Sequence, residues 1–425
     1  MTYQKYQKNL ITVIIIAILI FLIVLYIGNL KLMDVVSGGE MFFANWVGAR
    51  TFLVNGFSPY TQESLYQIQQ QNALSGFNFS FDGWHSAEPL YGLLIYFPFL
   101  LIKSFTHAFA AWLAFNEILL FFTFWLLYRV VEWKGSRIIF VFAAITIIFW
   151  KSIIDVLISG SNAILILFAL IAVLYTLKFN MDELAGVLLA IVSIKIHLLW
   201  LPIIFILVYT AIQGKRKTSI WFLASILLIS VSLMLLDPGW IKGYFVSLLT
   251  VILGNADSVV NASSFTQLFN DQYFSYFSKG LGTIFLSFGV RLGNVFSILI
   301  AILMIIEWFS IQKRDFKGVL WLFSLTMIIS TWIGVNDKSA LFIFYLPVFI
   351  LSLSLIYDRW QEKGYLIYWI LPLLILVINW MVFSTGMNAI MLVFGFYPLL
   401  FFVILYWIRW WALSRNYLVY EWKNL

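Results

Sequence analysis

Charged residues are scarce in this 425-residue chain, with 11% Asp, Glu, Lys and Arg against 63% hydrophobic residues. Soluble domains carry roughly a quarter charged residues, because charge covers the surface that faces water. The composition therefore excludes a soluble enzyme, a nucleic-acid-binding protein and a disordered tail. It predicts an all-α, multi-pass integral membrane protein, with the lipid bilayer as its surroundings and no nucleic acid as a partner.

Cysteine is absent, and only three histidines occur, at His85, His107 and His197. The lack of cysteine excludes disulfides, Cys-ligated zinc and a thiol nucleophile. No H-E-x-x-H or other His-rich spacing occurs, so we expect neither a metal site nor a cofactor. The 26 Lys and Arg exceed the 19 Asp and Glu, giving +7, and in a membrane protein such an excess indicates basic cytoplasmic loops.

Thirteen apolar segments approach the roughly 20 residues that a helix needs to cross a bilayer. They lie near residues 9–30, 89–106, 108–128, 137–155, 162–178, 183–195, 196–213, 218–236, 284–306, 318–335, 339–357, 365–384 and 388–408. The first run is too long for a signal peptide and has no small-residue cleavage site after it. We therefore expect an uncleaved anchor.

The positive-inside rule assigns the connections that contain basic residues to the cytoplasm. It places both termini there as well. These connections contain Arg129, Lys134 and Arg137; Lys215, Arg216 and Lys217; Lys313, Arg314 and Lys317; Arg359 and Lys363; and Arg409, Arg415 and Lys423. Two long loops, residues 31–88 and 237–283, then lie outside. The scheme lets residues 89–128 cross only once, so one of the two segments there should be short, re-entrant or interfacial. We expect about 12 spans in a single membrane domain covering residues 1–425.

The two external loops contain the largest polar stretches. Residues 41–54 and 59–71 of the first loop predict short amphipathic helices, and residues 240–253 of the second predict another. Such helices usually lie along the membrane surface, so we interpret the two loops as the cover of an active site. The first loop is acidic and contains Asp34, Glu40, Glu63, Asp82 and Glu88.

Ionisable residues inside apolar segments are costly and are therefore candidates for function. Glu117 is either a paired structural glutamate or a functional group, and Lys151 and Asp155 are spaced to pair with each other. Lys195, at an external turn, either reaches lipid phosphates with no further role or binds a phosphate-bearing substrate.

Carboxylates of the first loop present a similar choice. Most exposed carboxylates are simply solvated. Asp34 directly follows the first span, and Glu40 begins an apolar helix six residues later, so both stay close to the membrane surface. A carboxylate there can act as general base on a hydroxyl acceptor whose partner is a lipid-anchored donor.

Five stretches, in order along the chain, resemble glycosyltransferase family 87, the polyprenol-phosphate-mannose-dependent mannosyltransferases. They are GGEMFFANWVGARTFLVNGFSPY (38–60), EPLYGLLIYFPFLLI (88–102), SGSNAILILFAL (159–170), AGVLLAIVSIK (185–195) and SSFTQLF (263–269). In the family, an acidic residue precedes an aromatic helix ending in G-x-x-P-Y, and Y-P-P, G-Q-x-N, A-G to Lys and N-Q-S patterns follow. This chain departs by having Glu40 or the earlier Asp34 in place of Asp, Ser159-Gly160 in place of Gly-Gln, and no histidine near Lys338.

The resemblance implies a GT-C fold with its active site on the extracytoplasmic face of a prokaryotic cell membrane. A sugar, usually mannose, would pass with inversion from a polyprenyl phosphate to a hydroxyl of a glycolipid, glycan or protein acceptor. Glu40 or Asp34 would be the catalytic base. Lys195 would hold the lipid phosphate. The other residues that the resemblance implies for substrate binding are Lys338, Arg50, His197, Asn162, Trp46, Tyr60, Trp84, His85 and Gln267.

Two other functions fit a multi-pass protein with large external loops. A transporter or flippase of a lipid-linked saccharide would show internal repeats and charged residues at mid-depth. Here the halves show no convincing repeat, and Glu117 is the main feature in its favour. An O-antigen ligase or polymerase relies on external arginines, of which the scheme places only Arg50 and Arg291 on that face.

Overall fold

In a computed structural model, the chain is described over residues 2–75, 77, 79–81, 86, 88–253, 299–311, 315–333, 341–384 and 399–409. Within these ranges every regular element is helical. The α-helices are α1 Thr2–Met33, α2 Glu40–Asn55, α3 Gln62–Ser75, α4 Phe97–Leu100, α5 Phe105–Val130, α6 Arg137–Ile148, α7 Lys151–Ser159, α8 Ala163–Lys178, α9 Asp182–Val192, α10 Ile196–Ile212, α11 Arg216–Met234, α12 Trp240–Leu253, α13 Leu299–Trp308, α14 Phe316–Ile333, α15 Leu346–Trp360, α16 Tyr365–Ser384 and α17 Leu399–Arg409. The 3-10 helices that matter for the site are Leu90–Tyr96, before α4, and Ser193–Lys195, between α9 and α10.

Several helices have the length and composition of membrane spans. In the described ranges, five stretches qualify, and the bent pair α6 and α7, with a 55° angle between them, would make a sixth. The outward-facing residues of α1 are apolar and exposed, from Val13 to Val24, as expected for a surface that contacts lipid. The protein is therefore a helical membrane protein, and the total of about 12 spans stays a prediction.

Helices α9 and α10 form a hairpin although they make one continuous apolar stretch, Asp182–Ile212. Lys215 Nζ, just past the end of α10, lies 3.4 Å from Asp182 Oδ1 at the start of α9. A straight helix would hold these ends about 45 Å apart, so the chain reverses between them. It does so where the backbone leaves helical geometry, at Lys195 and Leu199. The turn predicted between two apolar segments is therefore present.

Ion pairs gather at one end of the bundle, which we call the basic face. Lys178, at the end of α8, lies 2.9 Å from Glu132, just after α5, and 5.6 Å from the ring centre of Phe316 at the start of α14. Three more pairs join other connections there: Lys215 with Asp182, Lys217 with Glu183, and Lys317 with Asp358. Most of the predicted basic connections thus meet at the same end.

The opposite end, the site face, is reached by the same helices. Helix α8 begins beside Asn162 and ends at Lys178 on the basic face. Helix α9 begins on the basic face at Asp182 and leads to Lys195. Asn162 and Lys195 are therefore brought to one end of the bundle, as the sequence predicts.

Residues 89–128 contain one long helix, α5. The apolar stretch before it forms only the 3-10 helix Leu90–Tyr96 and the four-residue α4. The expectation that one of the two segments is short is confirmed. The short segment packs beside α2, because Asn45 Nδ2 donates to Tyr96 Oη over 3.1 Å.

Helix α2 differs from the surface helix that the sequence predicts. Its side chains are buried around most of the helix rather than along one face, namely Phe42, Phe43, Ala44, Trp46, Val47, Ala49, Thr51 and Phe52. The cause is a cluster of aromatic rings from α2 and α5, in which Phe42 lies 5.6 Å from Phe109 and 5.5 Å from Trp112 between ring centres. Helix α2 is therefore a core element rather than an amphipathic one, and its predicted place along the membrane surface stays a prediction.

The ionisable residues singled out within the spans have local partners. Asn29 Nδ2 of α1 donates to Glu117 Oε2 of α5 over 2.9 Å, and Lys151 pairs with Asp155 at 2.7 Å. A paired glutamate between two helices has a structural explanation. The main feature in favour of a transporter therefore loses its weight.

Candidate functional site

Lys195 occupies the tip of the α9–α10 hairpin. The 3-10 helix Ser193–Lys195 tightens the end of α9, and at Lys195 the backbone departs from helical angles, with φ −103° and ψ 48°. The side chain is only 4% exposed. A buried ammonium group is strongly destabilising unless it is paired, so its partners decide what it can do.

Glu88 forms an ion pair with Lys195. Its Oε1 lies 3.2 Å from Lys195 Nζ, and its side chain is 13% exposed. Asn162 Nδ2 donates to the second oxygen, Oε2, over 2.8 Å. We call Glu88, Asn162 and Lys195 the Glu88 cluster. One positive and one negative charge meet in it, and each carboxylate oxygen faces a donor.

Two 3-10 helices bring Glu88 and Lys195 together. Tyr91 and Ser193 share a hydrogen bond of 2.8 Å between their hydroxyl oxygens. This bond joins the 3-10 helix that follows Glu88 to the 3-10 helix that ends at Lys195. Gly92 lets them approach closely, because a Cβ added there would lie 3.0 Å from Ile194 and 3.4 Å from Glu88 Oε2. The backbones that carry Glu88 and Lys195 are therefore packed against each other.

Asn162 enters the cluster through a turn that requires glycine. Gly160 has a φ of +74°, and a Cβ there would lie 2.6 Å from Phe42 Cβ. Only glycine adopts this positive φ without strain and leaves room for Phe42 at this distance. Trp112 Nε1 donates to the Gly160 carbonyl over 3.0 Å. The turn thus sets the start of α8, and with it Asn162, against α2 and α5.

The two loops predicted to be external meet around Glu88. Tyr60 Oη donates to the Glu88 carbonyl over 2.9 Å, and Ser247 of α12 donates to the Ser86 carbonyl over 2.7 Å. Burial, and then the nearby Tyr244, raises the pKa of Tyr60, so this phenol stays protonated and keeps donating. Helix α12 of the second loop therefore packs on the end of the first loop.

The two carboxylates predicted as bases lie outside the Glu88 cluster. Asp34 is 66% exposed and pairs with Lys31 at 3.6 Å. Glu40 is the first residue of α2 and is exposed. The preceding residue, Gly39, donates its N–H to the Ile158 carbonyl over 2.7 Å, which ties the start of α2 to the turn before Asn162.

Three other predicted residues have different surroundings. Trp46 is 5% exposed, and its Nε1 donates to the Phe99 carbonyl over 3.0 Å. Arg50 lies over the Trp46 ring, 5.3 Å from its centre. His197 is half-buried two residues after Lys195. Trp46 is therefore a core residue, and its predicted role toward a sugar stays a prediction. The predicted Trp84, His85, Gln267 and Lys338 lie outside the described residues.

Glu88 is the residue that the sequence interpretation missed. It was grouped with the solvated carboxylates of the first loop, whereas the structure makes it the centre of the cluster. One signal sets it apart: it stands directly before Pro89 and an apolar, aromatic run. A carboxylate at the entry to an apolar segment needs a partner when it is buried.

A family model described as Glycosyltransferase family 87 matches residues 88–331, more than half of the chain. The chain belongs to glycosyltransferase family 87. The match to this glycosyltransferase family begins at Glu88 and includes Asn162 and Lys195. A search of curated proteins found no match. The family therefore identifies a glycosyltransferase, and the geometry locates three polar residues within the matched range.

Among the residues that the structure describes, no three His, Asp or Glu side chains come together as a metal site. The donor set of the cluster, with one carboxylate, one amide and one ammonium, instead suits an anionic or hydroxyl-bearing ligand.

Proposed function

We propose that this glycosyltransferase moves a sugar, mannose in the first instance, from a polyprenyl phosphate to a hydroxyl acceptor. The observation that carries the proposal is the buried Lys195 at the site face, at the opposite end of the bundle from the basic face. The positive-inside rule makes the basic face cytoplasmic. The reaction then takes place on the outer side of a prokaryotic cell membrane, in a GT-C bundle of about 12 spans and one domain with both termini inside.

Lys195 supplies the electrostatic part of the mechanism. When the bond between the anomeric carbon and the phosphate oxygen breaks, negative charge grows on the leaving polyprenyl phosphate. A cation already in place in a site with little water stabilises that charge without rearrangement. Lys195 would do so, with Asn162 donating nearby and Arg50, His197 and Lys338 as further candidates. No metal or cofactor enters this mechanism.

A carboxylate completes the transfer by accepting a proton. The acceptor oxygen attacks the anomeric carbon from the face opposite the phosphate, so configuration inverts, and the acceptor proton passes to the base. Between the two predicted bases, Glu40 is favoured, because the start of α2 is bonded to the turn that leads to Asn162. Asp34 already pairs with Lys31.

Tyr60, His85 and Gln267 complete the proposed substrate-binding set. Tyr60 would shape the site through the Glu88 backbone, since its hydroxyl donates to that carbonyl. The acceptor is a glycolipid, a glycan or a protein, because each of these presents a hydroxyl group as the nucleophile.

Transfer of labelled mannose from polyprenyl phosphate mannose, by purified protein in lipid nanodiscs, tests the proposal. Glu40→Gln should lower turnover by about 100-fold or more, the usual contribution of a general base. Asp34→Asn and Glu63→Gln, a matched exposed carboxylate in the same loop, should leave turnover within about twofold.

The opposite results are equally informative. Loss of transfer in Asp34→Asn alone would assign the role of base to Asp34. Wild-type transfer in Glu40→Gln, in Asp34→Asn and in the double mutant of these two positions would exclude both carboxylates as the base. If the unaltered protein transfers no sugar from any polyprenyl phosphate donor, yet uses a nucleotide sugar, the proposed donor class is wrong.

A further inference from the structure

The phosphate-binding cation of the proposed site already has a counter-ion. Lys195 Nζ lies 3.2 Å from Glu88 Oε1, and both side chains are largely buried, at 4% and 13% exposure. A buried ion pair resists the loss of one partner, because the remaining charge is left uncompensated. A phosphate that approaches Lys195 must therefore compete with the Glu88 carboxylate.

Lys195 and Glu88 are not equally constrained. Lys195 sits at the tip of a helical hairpin, with the start of α10 directly after it. Glu88 lies at the end of a loop, and its backbone, rather than its carboxylate, is held by Tyr60. Gly92 faces Oε2 with no side chain of its own, so no side chain from this position holds the carboxylate in place. The carboxylate is thus the partner that can swing away.

Asn162 offers a second contact for a ligand. Its side chain is 1% exposed, and its Nδ2 is committed to Glu88 Oε2. Its Oδ1 is buried and has no hydrogen-bond partner within the part of the chain that the structure describes. Buried polar atoms are normally paired, so this oxygen is a ready acceptor for a donor-bearing ligand such as a sugar hydroxyl.

We propose that Glu88 is an exchangeable counter-ion: it neutralises Lys195 in the empty site and is displaced from Lys195 by the phosphate of the lipid-linked donor. This inference rests on the proposed function, because it takes the donor to be a polyprenyl phosphate. No covalent bond changes in the exchange. One ion pair is broken, another is formed, and Glu88 is released into the site as a free carboxylate.

The exchange has a consequence of definite sign. Removing the competing charge should tighten binding of the phosphate, whereas a carboxylate that merely held Lys195 in position would weaken binding when removed. Polyprenyl phosphate without sugar, added to protein in uncharged lipid nanodiscs, is the direct probe. The 19 tryptophans allow binding and thermal unfolding to be followed by intrinsic fluorescence.

In this assay Glu88→Gln should bind polyprenyl phosphate about tenfold more tightly than the unaltered protein, while its ligand-free form unfolds at a lower temperature. Glu88→Asp, which keeps the charge but shortens the reach, should fall between the two. Lys195→Gln should lose the phosphate-dependent binding. Glu132→Gln, which removes the partner of Lys178 at the other end of α8, should bind as the unaltered protein does.

Two further ligands separate the sources of affinity. Uncharged polyprenol should bind Glu88→Gln and the unaltered protein equally, since it lacks the phosphate. Inorganic phosphate should compete with polyprenyl phosphate if the phosphate group alone displaces Glu88. Failure to compete would mean that binding requires the phosphate together with its polyprenyl chain.

Unchanged or weaker binding of polyprenyl phosphate in both Glu88→Gln and Glu88→Asp would overturn the exchange and make Glu88 a positioning residue. If only Glu88→Asp folds, its affinity alone decides, with tighter binding expected. Absence of phosphate-dependent binding in the unaltered protein would instead remove the proposed donor, which is a failure of the proposed function.

Discussion

At the scale of single residues, the candidate site is defined by how a few charges are paired. Lys195 is buried, and its contact with Glu88 keeps the charge tolerable inside the bundle. Asn162 satisfies the other carboxylate oxygen. Elsewhere the same residue types are paired in ways that need no ligand, as Lys151 is with Asp155. Charge type alone therefore does not distinguish the Glu88 cluster from these structural pairs, and its position at the site face within the family match does.

Lys195→Ala tests the role of this lysine in donor use. We expect the KM for polyprenyl phosphate mannose to rise roughly tenfold to a hundredfold, since a hydrogen bond to a charged group contributes about 1.5–3 kcal/mol. The KM for the acceptor should change much less. Lys195→Arg keeps the charge and should recover part of the donor affinity, and an unchanged donor KM in Lys195→Ala would contradict the phosphate role.

At the scale of helices, close packing sets where the functional residues arrive. Gly186 lies in the contact between α9 and α11, where an added Cβ would come within 2.4 Å of the Thr218 carbonyl oxygen and 2.8 Å of the Phe222 nitrogen. Small residues allow helix backbones to approach in this way. Lys195 ends the 3-10 helix that directly continues α9, so the A-G to Lys spacing describes a helix packed tightly near its start, with a lysine just after its end.

Gly186→Ala should therefore disturb the whole hairpin. The added methyl group meets backbone atoms rather than flexible side chains, so α9 and α11 must separate, at a cost of about 1–3 kcal/mol in unfolding free energy. Thermal unfolding in detergent should show a lower midpoint, with reduced sugar transfer. The matched control is Gly28→Ala in α1, where nothing lies within 4 Å of the added atom. Equal midpoints for both variants would refute the packing role of Gly186.

At the scale of the whole molecule, the charges separate between the two ends of the bundle. The basic face collects the connections after α5, α8 and α10, whereas the site face collects Glu88, Asn162 and Lys195. A membrane protein orients by its basic connections. The architecture therefore separates the basic connections from the Glu88 cluster.

The absence of native cysteine makes this orientation directly measurable. Glu63→Cys in α3 and Lys217→Cys at the start of α11 introduce single thiols at exposed positions. A membrane-impermeant maleimide should label Glu63→Cys in intact cells and Lys217→Cys only after permeabilisation. The reverse pattern would invert the topology and move the proposed reaction to the cytoplasm.

Much of the architecture could be predicted from the sequence, because its signals are local. Apolar length predicts the spans, and Lys195 between two apolar segments predicts the turn that the structure contains. The requirement for a short segment before α5 follows from where basic residues lie. The burial of helix α2 could not be predicted, because its aromatic residues fit a surface helix and a buried helix equally well. Rings contributed by α5 decide that it is buried.

By itself, the sequence determined that this is a helical membrane protein with its basic connections together and Lys195 at a turn, since charge scarcity and apolar run length act locally. Only the tertiary structure decided which carboxylate meets Lys195. Glu88, Asn162 and Lys195 come from three separate parts of the chain, and each is exposed or buried according to what packs on it. Ion pairing depends on distance in space, so the partner of a buried lysine appears only when the helices are brought together.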